Sequence, residues 1–315
     1  MKKVISILLV LLVLTTLSPI IATAQESDSN RLIVQPFSST GTLINEFMKA
    51  KKSIYINMYG LTDFDFFPSL VTQAKKGVHI KIMLERAPYN AETENWDARA
   101  MLTKYGITCK WASPDFFITH AKYIIIDSSE VIVLSGNFTY SDFTKDRDFG
   151  IIMQDATKAQ EFEGLFNADW QRLSYKNNDP SVIISPIDSR AKIEAALKSA
   201  TKSIKIWEQE VEDPSIVNIL KDQKSKGVDV QIIMPGSYAQ TALNALQTGV
   251  NALPNPYVHA KVFIIDDTLA YIGSNNFTTP SLENERETAI LTKDPNIISE
   301  LLTLWKWDLS HTAKP

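Results

Sequence analysis

Residues 258–278 read VHAKVFIIDDTLAYIGSNNFT, and residues 119–139 read THAKYIIIDSSEVIVLSGNFT. Each is an apolar run, a polar turn and a second apolar run, which is the pattern of a β-hairpin. YIIID therefore pairs with VIVLS, and VFIID with LAYIG. Counted from His120 and His259, both copies place lysine at +2 (Lys122, Lys261), aspartate at +7 (Asp127, Asp266) and serine at +15 (Ser135, Ser274). Asparagine follows at +17 (Asn137, Asn276) and an acid at +28 (Asp148, Glu287). One His-x-Lys alone is best read as a solvated strand face. Two copies with the same polar set, among neighbours that differ, point to chemistry, because burying lysine is costly unless it is paired.

The match extends upstream. Lys52-Ser53-Ile54 aligns with Lys202-Ser203-Ile204, and Gly77-Val78 with Gly227-Val228, both at an offset of 150. The histidines are offset by 139, so the second half is eleven residues shorter, with the loss placed in the loop region after Glu85 and Pro235. Duplicated units show this pattern of shared segment order with a length change in a loop. Amphipathic patterns predict helices over 42–50, 67–76, 190–200 and 214–226, each leading into a strand: SIYINMY, HIKIML, SIKIWEQ and DVQIIM. A further strand closes each half, FGIIM and TAILT. The fold class expected is α/β, as two homologous α-β-α sandwich halves with mixed sheets. The polar, turn-rich stretch 174–180 sets the division at 25–177 and 178–315.

Residues 1–24 have the three-part layout of a signal peptide: Lys2 and Lys3, an apolar run over 4–14, and Ala22-Thr23-Ala24. Cleavage after Ala24 and a secreted or periplasmic location are the expectation. Losing Lys2 and Lys3 moves the formal charge from −4 to −6. The single cysteine, Cys109, can form no internal disulfide, and reads as a small buried apolar residue. No His/Cys cluster of metal-ligand spacing and no Gly-rich phosphate loop is present, so neither metal nor cofactor is expected.

The twin phrases resemble the phospholipase D superfamily, whose HxKxxxxD motif continues into GSxNF. His259, Lys261 and Asp266 with Gly273-Ser274-Asn275-Asn276-Phe277 fit fully; the first copy departs by Leu134 at the first glycine position. The resemblance covers both halves. It implies that they pack about a pseudo-twofold axis and pool one site for phosphodiester cleavage, with possible transfer of the phosphatidyl group to an alcohol. In that site His120 would attack phosphorus, His259 would protonate the leaving alcohol, and Lys122, Lys261, Asn137 and Asn276 would hold the phosphoryl oxygens. Asp148 and Glu287 would orient the imidazoles, with Ser135 and Ser274 behind them. Asp127 and Asp266, beside the hairpin turns, are read as structural in spite of their place in the motif.

The substrate expected is a phospholipid head-group ester, phosphatidylcholine giving phosphatidic acid. Trp111, Phe116, Phe117 and Ile118 before His120, and Pro254, Pro256, Tyr257 and Val258 before His259, suit peripheral contact with a membrane. A nuclease of the same superfamily is the less favoured alternative, since an acidic chain suits a polyanion poorly. A non-catalytic scaffold is the second alternative, opposed by the intact His-Lys-Asn sets. No obligate protein partner is implied.

Overall fold

The computed structural model describes residues 30–89, 93–247 and 249–315; the expected leader, 1–24, lies outside them. The first half runs β1 (Arg31–Gln35), α1 (Thr40–Lys49), β2 (Ser53–Met58), α2 (Phe67–Lys75), β3 (His79–Leu84), α3 (Glu94–Lys104), β4 (Thr108–Trp111), β5 (Tyr123–Ile126), β6 (Glu130–Leu134), α4 (Tyr140–Thr144), β7 (Asp146–Met153) and α5 (Ala156–Gln171). The second runs β8 (Val182–Ser185), α6 (Ser189–Lys198), β9 (Ser203–Glu208), α7 (Pro214–Ser225), β10 (Asp229–Pro235), α8 (Gly236–Leu246), β11 (Val250–Leu253), β12 (Tyr257–Val258), β13 (Lys261–Ile265), β14 (Leu269–Gly273), α9 (Thr279–Glu283), β15 (Glu287–Thr292) and α10 (Pro295–Ser310). The stretch 174–180 falls in the connection between α5 and β8.

The sheets have the same plan. In order they are β1-β7-β6-β5-β2-β3-β4 and β8-β15-β14-β13-β9-β10-β11. Three strands of each are parallel (β2-β3-β4 and β9-β10-β11), the other neighbours in this order are antiparallel, and β12 joins the first sheet parallel to β7, so both sheets are mixed, as expected. Strand runs such as YIII are apolar throughout because both faces are covered, and successive residues point to opposite sides. Tyr123 and Ile125 enter the central core between the sheets, with Phe149 and Ile151 of β7, Trp207 and Ile264 of the second sheet, Phe162 and Phe166 of α5, and Leu301 and Trp305 of α10. Ile124 and Ile126 point the other way, into a core with Leu43, Phe47 and Leu70 of α1 and α2. The second sheet repeats this with Phe263 and Ile265 against α6, α7 and α8. Cys109 is free and buried.

The shortening of the second half is split. β10 and β11 are joined by α8 directly, whereas the first half inserts a loop after β3 before α3. Offsets of 150 at β10, 142 at β11 and 139 at His259 place eight of the eleven lost residues there and three just before the histidine. The strands β1, β4, β8 and β11, with helices α3 and α8, fall outside the sequence expectation. The strands are short and are defined by their sheet neighbours, and α3 is weakly amphipathic; α8 is as amphipathic as the expected helices, and the sequence reading passes over it.

Candidate active site

Each histidine arrives on backbone that is paired with the opposite half. The two-residue strand β12 runs parallel to the start of β7, Tyr257 opposite Asp146 and Val258 opposite Arg147, and His259 N donates to Arg147 O at 3.2 Å. Thr119 makes the mirror-image bridge to Arg286, and His120 N donates to Arg286 O at 2.9 Å. Both arginines are buried and held from below. Arg147 donates to both carboxylate oxygens of Asp308 (3.0 and 2.9 Å) and to Gln35 O. Arg286 donates to Asp169 and to Ser185 O. The two histidines are thereby anchored to each other's half, so the site exists only as the halves pack.

The acids cross over in the same way. His120 Nδ1 lies 2.9 Å from Glu287 Oε1, and His259 Nδ1 lies 3.0 Å from Asp148 Oδ2. With Nδ1 engaged, Nε2 of each ring is left for substrate, the tautomer control expected of a carboxylate behind an imidazole. Ser135 Oγ donates to Asp148 Oδ1 at 2.6 Å and accepts from Phe149 N; Ser274 Oγ bonds the backbone of Thr288 in the same way, and its hydrogen bond to Glu287 partly opposes the rise of that carboxyl. Lys122 and Lys261 are fully buried. Each ammonium turns back on the carbonyl oxygen of the histidine two residues before it, at 2.7 Å for Lys122 and in a close contact for Lys261. Lys122 also sits 5.1 Å from the Tyr59 ring centroid, and that ring stands edge-on to His120 at 4.5 Å.

Both imidazoles are pushed well below their ordinary range, first by burial and then by the lysines. Burial likewise brings the Lys122 ammonium down to about 7 and lifts Asp148 to about 6 and Glu287 to about 7. A desolvated centre with a half-charged lysine and carboxyls lifted by burial is one that an anion relieves: a phosphoryl group favours the charged form of Lys122 and of a ring that is to donate a proton.

A cleft of about 780 Å³ opens over His120, His259 and Asn276. Tyr59, Tyr89, Phe117 and Ile118 form one wall; Tyr238, Glu210 and Glu212 stand in the same cleft. Asn137 lies beside His259 in an adjoining recess with Asp142 and Asp146. Of the aromatic and apolar residues expected at the rim, Phe117 and Ile118 reach it. Phe116 instead stacks on the Arg286 guanidinium at 4.1 Å, Trp111 packs near Trp96 and Arg99, and Val258 is buried. Asp127 and Asp266 lie away from the cleft. Asp127 accepts from the amides of Lys51, Lys52 and Ser53, and Asp266 from those of Thr201, Lys202 and Ser203. Both adopt left-handed φ (53° and 51°), which aspartate tolerates in a hairpin turn.

Residues that the motif reading missed complete the site. Asp146-Arg147-Asp148 and Glu285-Arg286-Glu287 are a second repeated phrase at the same offset of 139, an acid-Arg-acid signal legible in the chain. Burial lifts Asp146 to about 7 and Glu285 to about 8. Two sets, His120–Glu285–Glu287 and Asp142–Asp148–His259, hold their ligand-capable atoms within 4.8 Å of one another. They form hydrogen-bonded acid–imidazole groups rather than ion cages, since each Nδ1 is already bonded and the buried lysines supply the positive charge.

Twin α/β halves that bring two His-x-Lys phrases to one cleft mark a phosphodiester-cleaving or -transferring enzyme class. The chain belongs to the phospholipase D superfamily: residues 43–170 and 193–309 match the family described as cardiolipin synthase, PLD-like domain. It is 27% identical over 143 residues to a phospholipase D of Rickettsia prowazekii, covering 45% of this chain and 67% of that protein. It is 30% identical over 128 residues to cardiolipin synthase 1 of Staphylococcus epidermidis, covering 37% and 26%. The chain thus spans between about a quarter and two thirds of the length of these relatives. Phosphatidylserine synthase of Haemophilus influenzae shares the fold, with a TM-score of 0.70 over 91% of this chain and 88% of that one at 14% identity.

Proposed function

We propose that the protein hydrolyses a phospholipid head-group ester, phosphatidylcholine to phosphatidic acid, through a phosphohistidine on His120. The observation that carries this reading is the cleft itself. It joins two imidazoles and an aromatic, apolar wall to an acidic face of Glu210 and Glu212. Acids beside the phosphate position disfavour a polyanionic strand and suit a cationic head group such as choline. The relatives named phospholipase D and cardiolipin synthase support the lipid side of the reading.

In this mechanism Lys122, Lys261, Asn137 and Asn276 neutralise the non-bridging oxygens, a role that acts mainly where charge develops in the transition state. His120 Nε2 attacks phosphorus and the bond to the leaving oxygen breaks. His259 gives that oxygen a proton, then takes one from the water that releases His120. An alcohol reaching the intermediate would divert it to transfer.

The test is a side-by-side assay of the purified protein on phosphatidylcholine vesicles and on DNA. Phosphatidic acid from the vesicles, partly replaced by phosphatidylethanol on adding ethanol, is the expected result. Turnover of DNA with none of lipid refutes the substrate, and tight binding with turnover of neither supports a scaffold.

A further inference from the structure

Two of the three acid positions around the imidazoles are common to both halves: Asp146 corresponds to Glu285, and Asp148 to Glu287. The third is not. Asp142, in the short helix α4, stands where α9 has Ser281. Asp142 is buried, and its Oδ1 accepts from Asn137 N at 2.6 Å and lies 3.3 Å from Asn137 Nδ2. Its other oxygen takes the Thr139 hydroxyl in a close contact. The same Oδ1 is 3.5 Å from His259 Nδ1, which already has Asp148 at 3.0 Å. One ring nitrogen therefore meets two carboxylates. His120 Nδ1 meets one, Glu287, and the Ser281 hydroxyl fills Asp142's place, 3.1 Å from Glu287 Oε1 and 2.8 Å from Glu285 Oε2.

We infer that Asp142 is the positioning residue that divides the labour between two otherwise equivalent histidines: its carboxylate, added to that of Asp148, keeps a proton on His259, making it the general acid. His120, with a hydroxyl at the corresponding place, stays unprotonated and nucleophilic. The inference rests on the phosphodiesterase reading and assigns roles that the near-symmetry of the motifs leaves equal.

The surroundings agree. Burial, Lys122 and Lys261 depress both rings. A hydrogen bond to the Ser274 backbone opposes this at His120, whose second nearby acid, Glu285, is lifted to about 8 by burial. Only for His259 does a carboxylate, Asp142, pull the other way. In the first step the His120 Nε2 lone pair forms the N–P bond. The P–O bond breaks with its electrons on oxygen, and that oxygen takes the proton held on His259. An aryl leaving group needs that proton little; an alkyl leaving group needs it greatly.

The experiment measures Asp142→Asn and Asp142→Ser on bis-(p-nitrophenyl) phosphate and on an alkyl ester, short-chain phosphatidylcholine. A dinucleotide replaces the latter if the wild type leaves lipid untouched, so failure of the lipid reading is seen separately. Asn keeps an oxygen for the Asn137 amide, removes the charge and turns the acceptor facing the Thr139 hydroxyl into a donor, to which that hydroxyl can turn its oxygen. Roughly 10²-fold loss on the alkyl ester against less than ~10-fold on the aryl ester is expected. The alkaline limb of the alkyl pH–rate profile should also move to lower pH, because His259 loses its proton earlier. Ser281→Asp, giving His120 a second carboxylate, should slow both esters. Equal loss on both esters in Asp142→Asn, with no shift of the limb, overturns the inference and leaves Asp142 a structural cap for Asn137.

Discussion

Leu134 and Gly150 face each other across β6 and β7; at the corresponding places of the second sheet, Gly273 and Ala289 face each other across β14 and β15. A β-carbon added at Gly150 would overlap Leu134 Cδ2, and one added at Gly273 would overlap Ala289 Cβ. In each pair a glycine leaves room for the side chain opposite, Gly150 for Leu134 and Gly273 for Ala289. Leu134, at the motif's first glycine position, is thus matched by a glycine on the facing strand. His120, His259, Asp148 and Glu287 cannot be exchanged in this way, since each serves the other half.

The most severe way to break the equivalence is to remove one histidine. His120→Asn and His259→Asn should each lose at least about 10³-fold on bis-(p-nitrophenyl) phosphate, because the residues act as a unit on one phosphorus. Half the wild-type rate in either variant would mean two separate sites and end the shared-cleft model.

A smaller effect tests the crossing of the acids. Asp148→Asn should lower turnover by roughly 10²-fold and alter the imidazole NMR signals of His259, in the opposite half. Glu287→Gln should do the same for His120. Signals of His120 moving in Asp148→Asn, with His259 unchanged, would show that each acid serves its own half.

Much of this was legible in the chain. The strands HIKIML and LAYIG coincide with β3 and β14, and helices α1, α2, α6 and α7 start and end within two residues of expectation. Repetition made them secure: a period seen twice at one offset is hard to produce by chance. The site was legible as a set of residues but not as a geometry. Asp148 and Glu287 were placed behind imidazoles, yet spacing along the chain cannot say that Glu287 reaches His120, 167 residues away. Tyr59 and Tyr89 carry no motif, and come to the cleft only because β2 and the loop after β3 end there. Asp142 was hidden for the opposite reason, since a search for matched positions passes over the one that differs.

The paired glycines offer a stability test with no change in catalytic groups. Gly150→Ala alone should destabilise by about 1–3 kcal/mol, through the overlap with Leu134. Adding Leu134→Gly, which writes the second half's pair into the first, relieves that overlap but empties the place of a buried leucine, so its further cost should be smaller, by about 1–3 kcal/mol, than that of Leu134→Gly alone. Chemical denaturation of the single and double variants gives the coupling. Strict additivity would show that the two positions are independent and that Leu134 needs another explanation.

The smallest difference lies in the two aspartates of the motif that stay out of the cleft. Both clamp three amides, but Asp266 also accepts from the Thr201 hydroxyl at 2.7 Å, at a place where the first half has Lys51. Hydrogen bonds to the ionised form pull the Asp266 carboxyl down to about 2, against the burial that opposes them. A folded-state value below the unfolded one means that the ionised clamp stabilises the fold. That contribution is complete above the ordinary aspartate value of about 3.9 and is lost as pH falls toward 2. Asp266→Ala should therefore lower the unfolding midpoint at pH 7, by on the order of 1 kcal/mol more than Asp127→Ala, one hydrogen bond's worth. Its deficit relative to wild type should narrow as both are titrated from pH 4 to pH 2. Turnover per folded molecule should be kept in both variants, since neither carboxylate faces the cleft. A deficit that stays constant down to pH 2 would show that Asp266 acts through packing, and loss of turnover with the fold intact would bring the motif's aspartate back into the site.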